Sequence, residues 1–557
     1  MANHTLVNTN LILPLTSLVS RLKGTANTEI PLFFAFDEVS NLAMHGLGPK
    51  VFEALRRVIR LLRALPVWTF VLSTQSALDS VAPAIENDPS ARVIKGLLQR
   101  HTAFCEFPLN VEAGRRLWAD WKRQLSLPLD NFATISHILS FGRPLWMGYI
   151  DGRSEVVRPA VMYKLLGGRK YNPSEKNQLL AVLANRIALD PCTQTSESIG
   201  LEREAVQSHL RWMLSLDQRH GFVETTSQSE PVLAEAAAWV LMETGEAGDH
   251  WEASIDSLFV NLMSPGLIDR GRTGELVARL LCVLARDRVL HGTADDEPIR
   301  LKYAQSYGVI DFLQSLFRLP ESILSGTVKK RGGKPTIRTS FASASMNFTH
   351  FATTDRPLSP SSVRELLYSL MSRQAALQLC SNQPFWDLLI PIYLGKRDEK
   401  FDLAKLTALL IQVKNSQKKN KYDVLKEHYV PLFGRDNPII TIMLDLGIGK
   451  DLGIDTVKSF ASSVFALTAT GAGGETYNCI TSERMKATLS QILNLPANER
   501  ANYRRDISDV NTQFRRHALD EQFPEELYRA RDGTTPGYSP GDETVEAVPG
   551  GQVQRGK

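Results

Sequence analysis

With 557 residues, this chain is longer than one hydrophobic core normally supports, and roughly two to four domains are expected. Hydrophobic residues make up 43% and charged residues 22%, which are ordinary values for a chain that folds over most of its length. The net charge of +4 is nearly balanced for a chain of this size, and by itself it gives no indication for or against binding to nucleic acid.

The cysteines and the N-terminal segment indicate the compartment. The cysteines share no short spacing, which excludes a cysteine-based zinc site and predicts reduced thiols: they are Cys105, Cys192, Cys282, Cys380 and Cys479. The first 20 residues lack the basic and continuously apolar parts of a secretory signal, and no apolar run approaches membrane-spanning length. We therefore expect an intracellular protein without a membrane partner.

The first predicted strand is PLFFAFDE, which ends in the adjacent acids Asp37 and Glu38. The helix VFEALRRVIRLLRAL follows, and then the strand VWTFVLSTQS, which carries Thr74 near its end. This order resembles the Walker B and sensor 1 strands of P-loop NTPases. The resemblance implies that Asp37 orients Mg²⁺, that Glu38 polarises water and that Thr74 lies near the terminal phosphate. Any parallel α/β sheet would show the same alternation of strand and helix.

The segment FGRPLW, which contains Arg143, resembles the GxP motif of the signal-transduction (STAND) branch of AAA-like ATPases. That resemblance implies a turn in contact with nucleotide, whereas the alternative is a plain turn that terminates a helix. No G-x-x-x-x-G-K-[ST] loop precedes Asp37, so the sequence predicts no binding site for the phosphates of a nucleotide. We expect no ATP hydrolysis by this chain, because the ATPase half is either degenerate or continued upstream.

The middle of the chain predicts helices at NQLLAVLANRIAL, EREAVQSHLRWMLSL, PVLAEAAAWVLM and GELVARLLCVLARDRVL. They suggest a winged-helix or helical-bundle extension. His209 in the second segment is interpreted as a structural histidine. For PVLAEAAAWVLM we expect Pro231 at the first helical position and Ser229 or Glu230 at its start.

Toward the C-terminus, SVRELLYSLMSRQAALQL predicts an amphipathic helix that carries Glu365. The strand FWDLLIPIYL then carries Asp387, and the strand LLIQVKNS carries Gln412 and Lys414. Side chains alternate along a strand, so Gln412 and Lys414 are expected on one face, where a neighbouring strand can bring Asp387 to them. The alternative is a half-buried strand that ends in polar residues at the edge of a sheet.

This order of helix, acidic strand and Q-x-K strand resembles the PD-(D/E)xK nucleases, which have a restriction-endonuclease-like fold. The resemblance implies that Asp387 and Gln412 hold Mg²⁺ or Mn²⁺, that Lys414 positions water, and that Glu365 belongs to the site. Gln412 replaces the usual acid, and an amide is a weaker ligand for a hard cation than a carboxylate. PIITIMLDLG, SSVFALTATG and KATLSQILNL predict two further strands and a helix.

Two basic stretches flank this region: residues 396–426 hold nine Lys or Arg against four Asp or Glu, and residues 328–338 hold five against none. Such stretches suit phosphate contacts with DNA or, alternatively, a solvated face and a flexible linker. The whole order resembles a fungal family of crinkler-like and transposon-associated proteins, which join a P-loop NTPase to a restriction-endonuclease-like domain. That resemblance implies a DNA-cutting or DNA-processing protein of the nucleus.

The predicted fold class is therefore a multidomain α/β protein. We expect a partial P-loop NTPase region at residues 1–165, a helical, winged-helix-like domain at 166–335, a restriction-endonuclease-like mixed α/β domain at 340–497, and a charged, disordered tail at 498–557. The expected function is a metal-dependent DNA endonuclease. The alternatives are a catalytically inactive nucleic-acid-binding or protein-interaction relic, and a fragment of a regulatory ATPase.

Overall fold

The structure of the chain is a computed structural model. It describes residues 8–23, 32–37, 49–62, 65–72, 94–95 and 109–110, and most of 127–496. Within that last range the gaps are 193–194, 217–222, 246–247, 294–297, 326–334, 355–356, 360–362, 381–382 and several positions between 419 and 451. The predictions for Glu38, Thr74, Cys105 and the C-terminal tail lie outside the described residues.

The N-terminal part contains a pair of parallel strands. Its elements are helix α1 (Leu13–Lys23), strand β1 (Leu32–Phe36), helix α2 (Pro49–Leu61) and strand β2 (Val67–Val71). The strands β1 and β2 pair in parallel with Leu32 beside Val67. Both strands and the connecting helix agree with the positions predicted from the sequence.

The middle of the chain is mainly helical. Its elements are α3 (Ile135–Ile138), α4 (Ser154–Leu165), α5 (Lys176–Ile187), α6 (Ser196–Ser208), β3 (Trp212–Leu216), β4 (Val223–Thr226), α7 (Pro231–Met242), the pair β5 (Thr244–Gly245) and β6 (Gly248–Asp249), α8 (His250–Ser257) and α9 (Thr273–His291). Short 3-10 or π segments include Leu129–Ala133, Pro144–Tyr149 and Leu258–Met263. The long helix α9 confirms the prediction from GELVARLLCVLARDRVL.

The remaining elements build a nine-stranded sheet and its covering helices. They are β7 (Tyr307–Gly308), α10 (Val309–Leu316), α11 (Glu321–Ser325), α12 (Ile337–Phe341), β8 (Ser345–Met346), β9 (His350–Thr353), α13 (Val363–Arg373), β10 (Ala375–Gln378), β11 (Leu388–Tyr393), β12 (Leu406–Lys414), β13 (Ile439–Asp445), β14 (Gly453–Val457), β15 (Val464–Thr470) and α14 (Glu483–Leu493). The principal order is β14-β15-β13-β12-β11-β10-β9. It is a mixed sheet, since β11 runs antiparallel to both β10 and β12, and β12 runs parallel to β13.

Two predicted helices were too long, because the second part of each is a strand. In EREAVQSHLRWMLSL the helix α6 ends at Ser208 and the strand β3 begins at Trp212. In SVRELLYSLMSRQAALQL the helix α13 ends at Arg373, Gln374 takes a φ of 56°, and β10 begins one residue later. A positive φ stops a helix, and the apolar spacing of a buried strand can continue a helical pattern without a visible break.

Buried residues cover both faces of the sheet. Along β12, Leu409 and Ile411 belong to a large apolar cluster that includes Leu276 of α9, and Ala408 and Leu410 belong to a second cluster with α13. This division follows from the alternation of side chains along a strand. The sheet is therefore packed between α9 on one face and α13 on the other, which is the cover that parallel strands require.

The structure confirms the mixed α/β class. The larger apolar cluster runs from Ile135 to Leu493 and joins the helical middle to the sheet in one core, while the predicted domain boundaries stay predictions. Among the helices of the described ranges, none combines the length and the apolar character needed to cross a membrane.

Candidate functional site

Asp387, Gln412 and Lys414 lie at one end of the paired strands β11 and β12. Leu388 is opposite Ile411 in this antiparallel pair, so Asp387 and Gln412 occupy the next positions. The backbone N–H of Asp387 donates to the carbonyl of Ile411 at 2.9 Å, and the N–H of Val413 donates to Asp387 Oδ2 at 2.6 Å. The Asp387 carboxylate is therefore held against the backbone of β12, next to the positions of Gln412 and Lys414.

The electrostatic surroundings of Asp387 have two opposing effects. Burial raises the pKa of Asp387 above its usual value, and this is the largest effect. The hydrogen bond from Val413 and the positive charges of Lys414 and Arg272 lower the pKa and favour the carboxylate. Asp387 is thus a largely buried acid with two cations within electrostatic range.

A second acid, Glu275, enters the site from the first turn of α9. Burial is the main reason that the pKa of Glu275 is raised, and the negative charge of Asp387 raises it further. Two carboxyl groups that are distant in sequence therefore lie close enough to repel each other. Neither the motif order nor the resemblance indicated Glu275, because its position in an ordinary apolar helix carries no local signal.

Gly274 explains how α9 approaches β12 at this point. A Cβ atom on Gly274 would lie 3.1 Å from Cβ of Asn415 and 3.3 Å from Cγ1 of Val413. Such contacts are tighter than an unaltered core accepts, so a glycine permits the close approach of helix and strand. Asn415 in turn donates to the carbonyl of Leu493 at 2.9 Å.

Gln378, Arg272 and Arg279 orient the Glu275 carboxylate. Gln378 Nε2 donates to Glu275 Oε2 at 2.5 Å, and Arg272 Nη1 donates to the same oxygen at 3.3 Å. Arg279 donates to the Gln378 amide oxygen. Burial lowers the pKa of Arg279 to about 10, so this guanidinium stays protonated at neutral pH. The network fixes one oxygen of Glu275 from two directions.

Asp445 is the neighbour of Lys414 across β12 and β13. Its side chain is buried and accepts hydrogen bonds from Asn420, at 3.1 Å from the backbone N–H and at 3.0 Å from Nδ2. These bonds hold the basic segment that follows Lys414 against the end of β13. Asp445 therefore acts as an anchor for this segment.

Glu365 occupies a different environment from Asp387. It is exposed in the first turn of α13. The hydrogen bonds and ion pairs of the described residues do not join it to Asp387, Gln412 or Lys414. The structure thus places Asp387, Gln412 and Lys414 at the same end of β11 and β12, and Glu275 interacts electrostatically with Asp387 from α9, while Glu365 is not shown to meet them.

Of the residues predicted to contact nucleotide, Asp37 and Arg143 are described. Asp37 is exposed directly after β1. Arg143 forms an ion pair with the buried Glu230 at 2.6 Å. The same carboxylate accepts 3.0 Å and 2.7 Å hydrogen bonds from the Arg143 backbone and from Trp146 Nε1. The FGRPLW turn is therefore fastened to the start of α7 through Glu230.

Glu230 and Gly142 are matched to each other at this turn. Gly142 has a φ of 85°, and a Cβ atom there would lie 2.3 Å from Glu230 Oε2. Glu230 precedes α7 without a side-chain capping bond, and Pro231 follows at the first helical position, as expected. His209, interpreted as structural, is buried and bonds through Nδ1 to the carbonyl of Leu165 at 2.8 Å.

The donors near Asp387 suit a hard divalent cation in their chemistry, since carboxylate and amide oxygens are the ligands that Mg²⁺ accepts. In the part of the chain that is described, no group of three or more His, Cys, Asp or Glu residues is arranged to hold a metal ion. A cation here would therefore have at most Asp387 and Glu275 as carboxylate ligands. It would depend on the Gln412 amide and on water or phosphate oxygens for the rest.

Comparison with known proteins gives one similarity. A protein-family model described as a domain of unknown function (DUF8736) matches residues 170–429. No curated protein matches the chain, and no solved structure matches it. The matched segment contains Glu275, Gln378, Asp387, Gln412 and Lys414, so the whole candidate site lies inside one region of similarity.

Proposed function

We propose that the chain is a phosphodiesterase that cleaves DNA with the help of Mg²⁺ or Mn²⁺, at a site built from Asp387, Glu275, Gln412 and Lys414. The observation that carries the proposal is that Asp387 is bonded to the backbone of the Q-x-K strand, at the end where Gln412 and Lys414 lie, with Glu275 close enough to act on it electrostatically. A pair of partly desolvated carboxyl groups next to cationic side chains is typical of a functional site.

In this proposal the residues divide into two roles. Asp387 and Glu275 hold the cation, with the Gln412 amide oxygen as a further, weaker donor, and the cation when bound supplies charge stabilisation at the phosphate. Lys414 and Arg272 both act electrostatically on Asp387. They therefore supply positive charge next to the proposed cation, where the phosphodiester of the substrate would bind. Lys414 positions water or stabilises the negative charge that develops on the phosphate.

The substrate is proposed from local charge. Lys414, Lys418 and Lys421 follow one another in the segment that Asp445 and Asn420 hold at the end of β13. A run of lysines beside the proposed site supports phosphate contacts of low sequence specificity. We further propose that the protein belongs with the crinkler-like and transposon-associated proteins and acts in the nucleus, which the order of its motifs supports.

Plasmid cleavage tests the proposal. Purified chain is incubated with supercoiled plasmid and Mg²⁺, Mn²⁺ or a chelator, beside the variants Asp387→Asn, Glu275→Gln and Lys414→Ala. Each variant is expected to lower the rate by about 100-fold, since each removes a charge used at the reacting phosphate. Asp455→Asn, at an exposed acid of β14, and Lys176→Ala, at an exposed lysine of α5, are the matched controls and should retain the rate.

Two results would reject the proposal: cleavage that survives Asp387→Asn and Lys414→Ala together, or cleavage that the chelator leaves unchanged. Gln412→Glu provides an independent test, because it restores a carboxylate to the position of the amide. If Gln412 limits cation binding, this variant should cut faster at low Mg²⁺ concentration than the natural chain.

A catalytically inactive DNA-binding protein is the second candidate, and the specific observation in its favour is the missing third carboxylate within the described residues. This candidate predicts DNA binding that weakens steeply with salt and ignores divalent cations. Binding measured by fluorescence anisotropy between 50 and 200 mM salt, roughly the range over which such contacts respond, separates the two candidates.

A further inference from the structure

The side chain of Gln378 lies on the face of the sheet that α9 covers. Gln378 is the last residue of β10 and lies opposite Leu388, which in turn lies opposite Ile411. Residues that pair directly share a face, and Leu388 and Ile411 belong to the apolar cluster that includes Leu276 of α9. Gln378 is 5% exposed. A buried amide at this position needs hydrogen-bond partners at both of its ends.

Arg279 of α9 determines which end of the Gln378 amide faces Glu275. A guanidinium carries only donors, so the atom that it contacts must be the amide oxygen Oε1 of Gln378. The amide nitrogen Nε2 then lies on the other side, where it donates to Glu275 Oε2 at 2.5 Å. Arg279 is itself 5% exposed, so this donor is held inside the core. The amide therefore presents an N–H group to Glu275 in one orientation.

The two oxygens of Glu275 are used unequally. Oε2 receives the donor of Gln378 and a second donor, Arg272 Nη1, at 3.3 Å. A carboxylate oxygen has about two lone-pair positions, so these donors occupy Oε2. Among the described residues, none donates to Oε1, and the Glu275 side chain is 20% exposed. A cation can thus bind Glu275 only through Oε1, unless it displaces a protein donor.

The carboxylate of Asp387 shows the same division. Its Oδ2 accepts the 2.6 Å hydrogen bond from the N–H of Val413, and none of the described residues donates to Oδ1. Each of the two acids therefore offers one open oxygen. Mg²⁺ suits such single-oxygen ligands, because it needs a close octahedral shell and keeps several waters. Ca²⁺ takes about six to eight oxygens and often binds both oxygens of a carboxylate, which this arrangement does not supply.

We propose that Gln378 is a positioning residue that makes Glu275 a one-oxygen ligand, so that the site selects cations of the Mg²⁺ and Mn²⁺ class against Ca²⁺. This inference rests on the proposed function. Gln378 acts only through Glu275 and contacts neither cation nor substrate. Arg272 alone does not have this effect, because it is more exposed and its planar fork of donors can pair with both oxygens of a carboxylate.

The test measures cation binding directly, in the full chain without DNA. Mn²⁺ affinity is obtained from the EPR signal of the free ion, and Ca²⁺ affinity from its competition with Mn²⁺. Gln378→Met replaces the amide with an apolar side chain of similar length, so the donor to Glu275 is lost. Gln178→Met is the matched control: Gln178 of α5 is 4% exposed and also uses both ends of its amide, with Asn172 and Leu166.

Gln378→Met is expected to weaken Mn²⁺ binding about tenfold, the lower end of the range for residues that hold a metal ligand in place. Ca²⁺ binding should stay within about twofold or become tighter, because both oxygens of Glu275 become available to it. The preference for Mn²⁺ over Ca²⁺ therefore falls by about tenfold. Gln178→Met should keep the natural preference.

A purely structural role of Gln378 gives a different result. Both methionine variants lose two hydrogen bonds in the core, so both should lower the urea midpoint, but only Gln378→Met should change the preference between cations. Gln378→Asn is a second variant: it retains a buried amide that is one methylene too short to reach Glu275, and it should reduce the preference in the same way. An unchanged preference in the folded Gln378 variants would overturn the inference, and so would an equal change in Gln178→Met.

The proposed function and this inference fail differently. If Glu275→Gln abolishes Mn²⁺ binding and plasmid cleavage while Gln378→Met keeps the natural preference, the proposed function stands and the positioning role is wrong. If the natural chain unfolds cooperatively in urea, and so is folded, but binds no Mn²⁺, both are wrong.

Discussion

Two of the parallel strand pairs in the described residues, β1 with β2 and β12 with β13, differ in how they are covered. In β12, every residue from Leu406 to Ile411 is buried. In β1, Phe33 and Phe36 point to opposite faces and are both exposed, at 58% and 37%. Trp68 and Phe70 of β2 are exposed as well.

This difference shows what a parallel strand needs beyond an apolar sequence. Parallel strands are stable when helices cover both faces, as α9 and α13 cover β12. The pair β1–β2 lacks comparable burial within the described residues. In the described residues, the two strands with the Walker B resemblance are thus apolar but largely exposed, while the strands of the proposed nuclease region are apolar and buried.

The largest expected effect is on the free energy of unfolding, when one apolar side chain in each of the two sheets is truncated to alanine. Ile411→Ala should lower the free energy of unfolding by about 2–5 kcal/mol, because Ile411 is completely buried and its removal leaves a cavity. Phe33→Ala should change it by less than about 1 kcal/mol. Urea unfolding followed by tryptophan fluorescence measures both. A loss for Phe33→Ala as large as for Ile411→Ala would show that β1 is covered in solution.

The second effect tests to which region the FGRPLW turn belongs. Glu230→Gln leaves Arg143 without its buried carboxylate, and the free energy of unfolding should fall by about 3 kcal/mol. Glu197→Gln is the control: it removes an exposed pair with Lys176 and should cost less than about 1 kcal/mol. Equal urea midpoints for the two variants would mean that the turn is not fastened to the core.

The smallest effect concerns pH and the buried acids of the helical middle. Burial raises the pKa of Glu202 to about 7 from an ordinary value of 4.5. The folded protein then binds a proton that the unfolded chain releases between these values, so stability falls as the pH rises through this window. From pH 5 to 7 the contribution of Glu202 should fall by about 2 kcal/mol.

Urea unfolding at several pH values checks this contribution. Glu202→Gln should flatten the decline between pH 5 and 7, although a part must remain because burial also raises the pKa of Glu235 to about 7. Glu197→Gln in the same helix should leave the decline as it is. If Glu202→Gln kept the full slope, the pKa of Glu202 would not be raised in solution.

Much of the secondary structure was predictable because its signal is local. The periodicity of PVLAEAAAWVLM gave the helix Pro231–Met242, and the apolar run before Asp37 gave β1. The two helices that were predicted too long failed where β3 and β10 continue an apolar pattern after a short break. The helix α13 ends before Gln374 because Gln374 has a positive φ, and a glutamine in the sequence does not predict that conformation.

Of the candidate site, the sequence by itself determined the strand-borne part. Alternation along β12 places Gln412 and Lys414 on one face, and pairing with the neighbouring strand brings Asp387 to them. Only the tertiary structure decided the rest. Gly274 lets α9 approach β12, and this brings Glu275 within electrostatic range of Asp387. Arg143 forms its ion pair with Glu230. Both interactions join residues that are far apart in the chain. Periodicity and spacing in a sequence depend on residues that are close together in the chain. The packing of a helix on a sheet brings together residues that are distant in the chain, and no local pattern reveals these pairs.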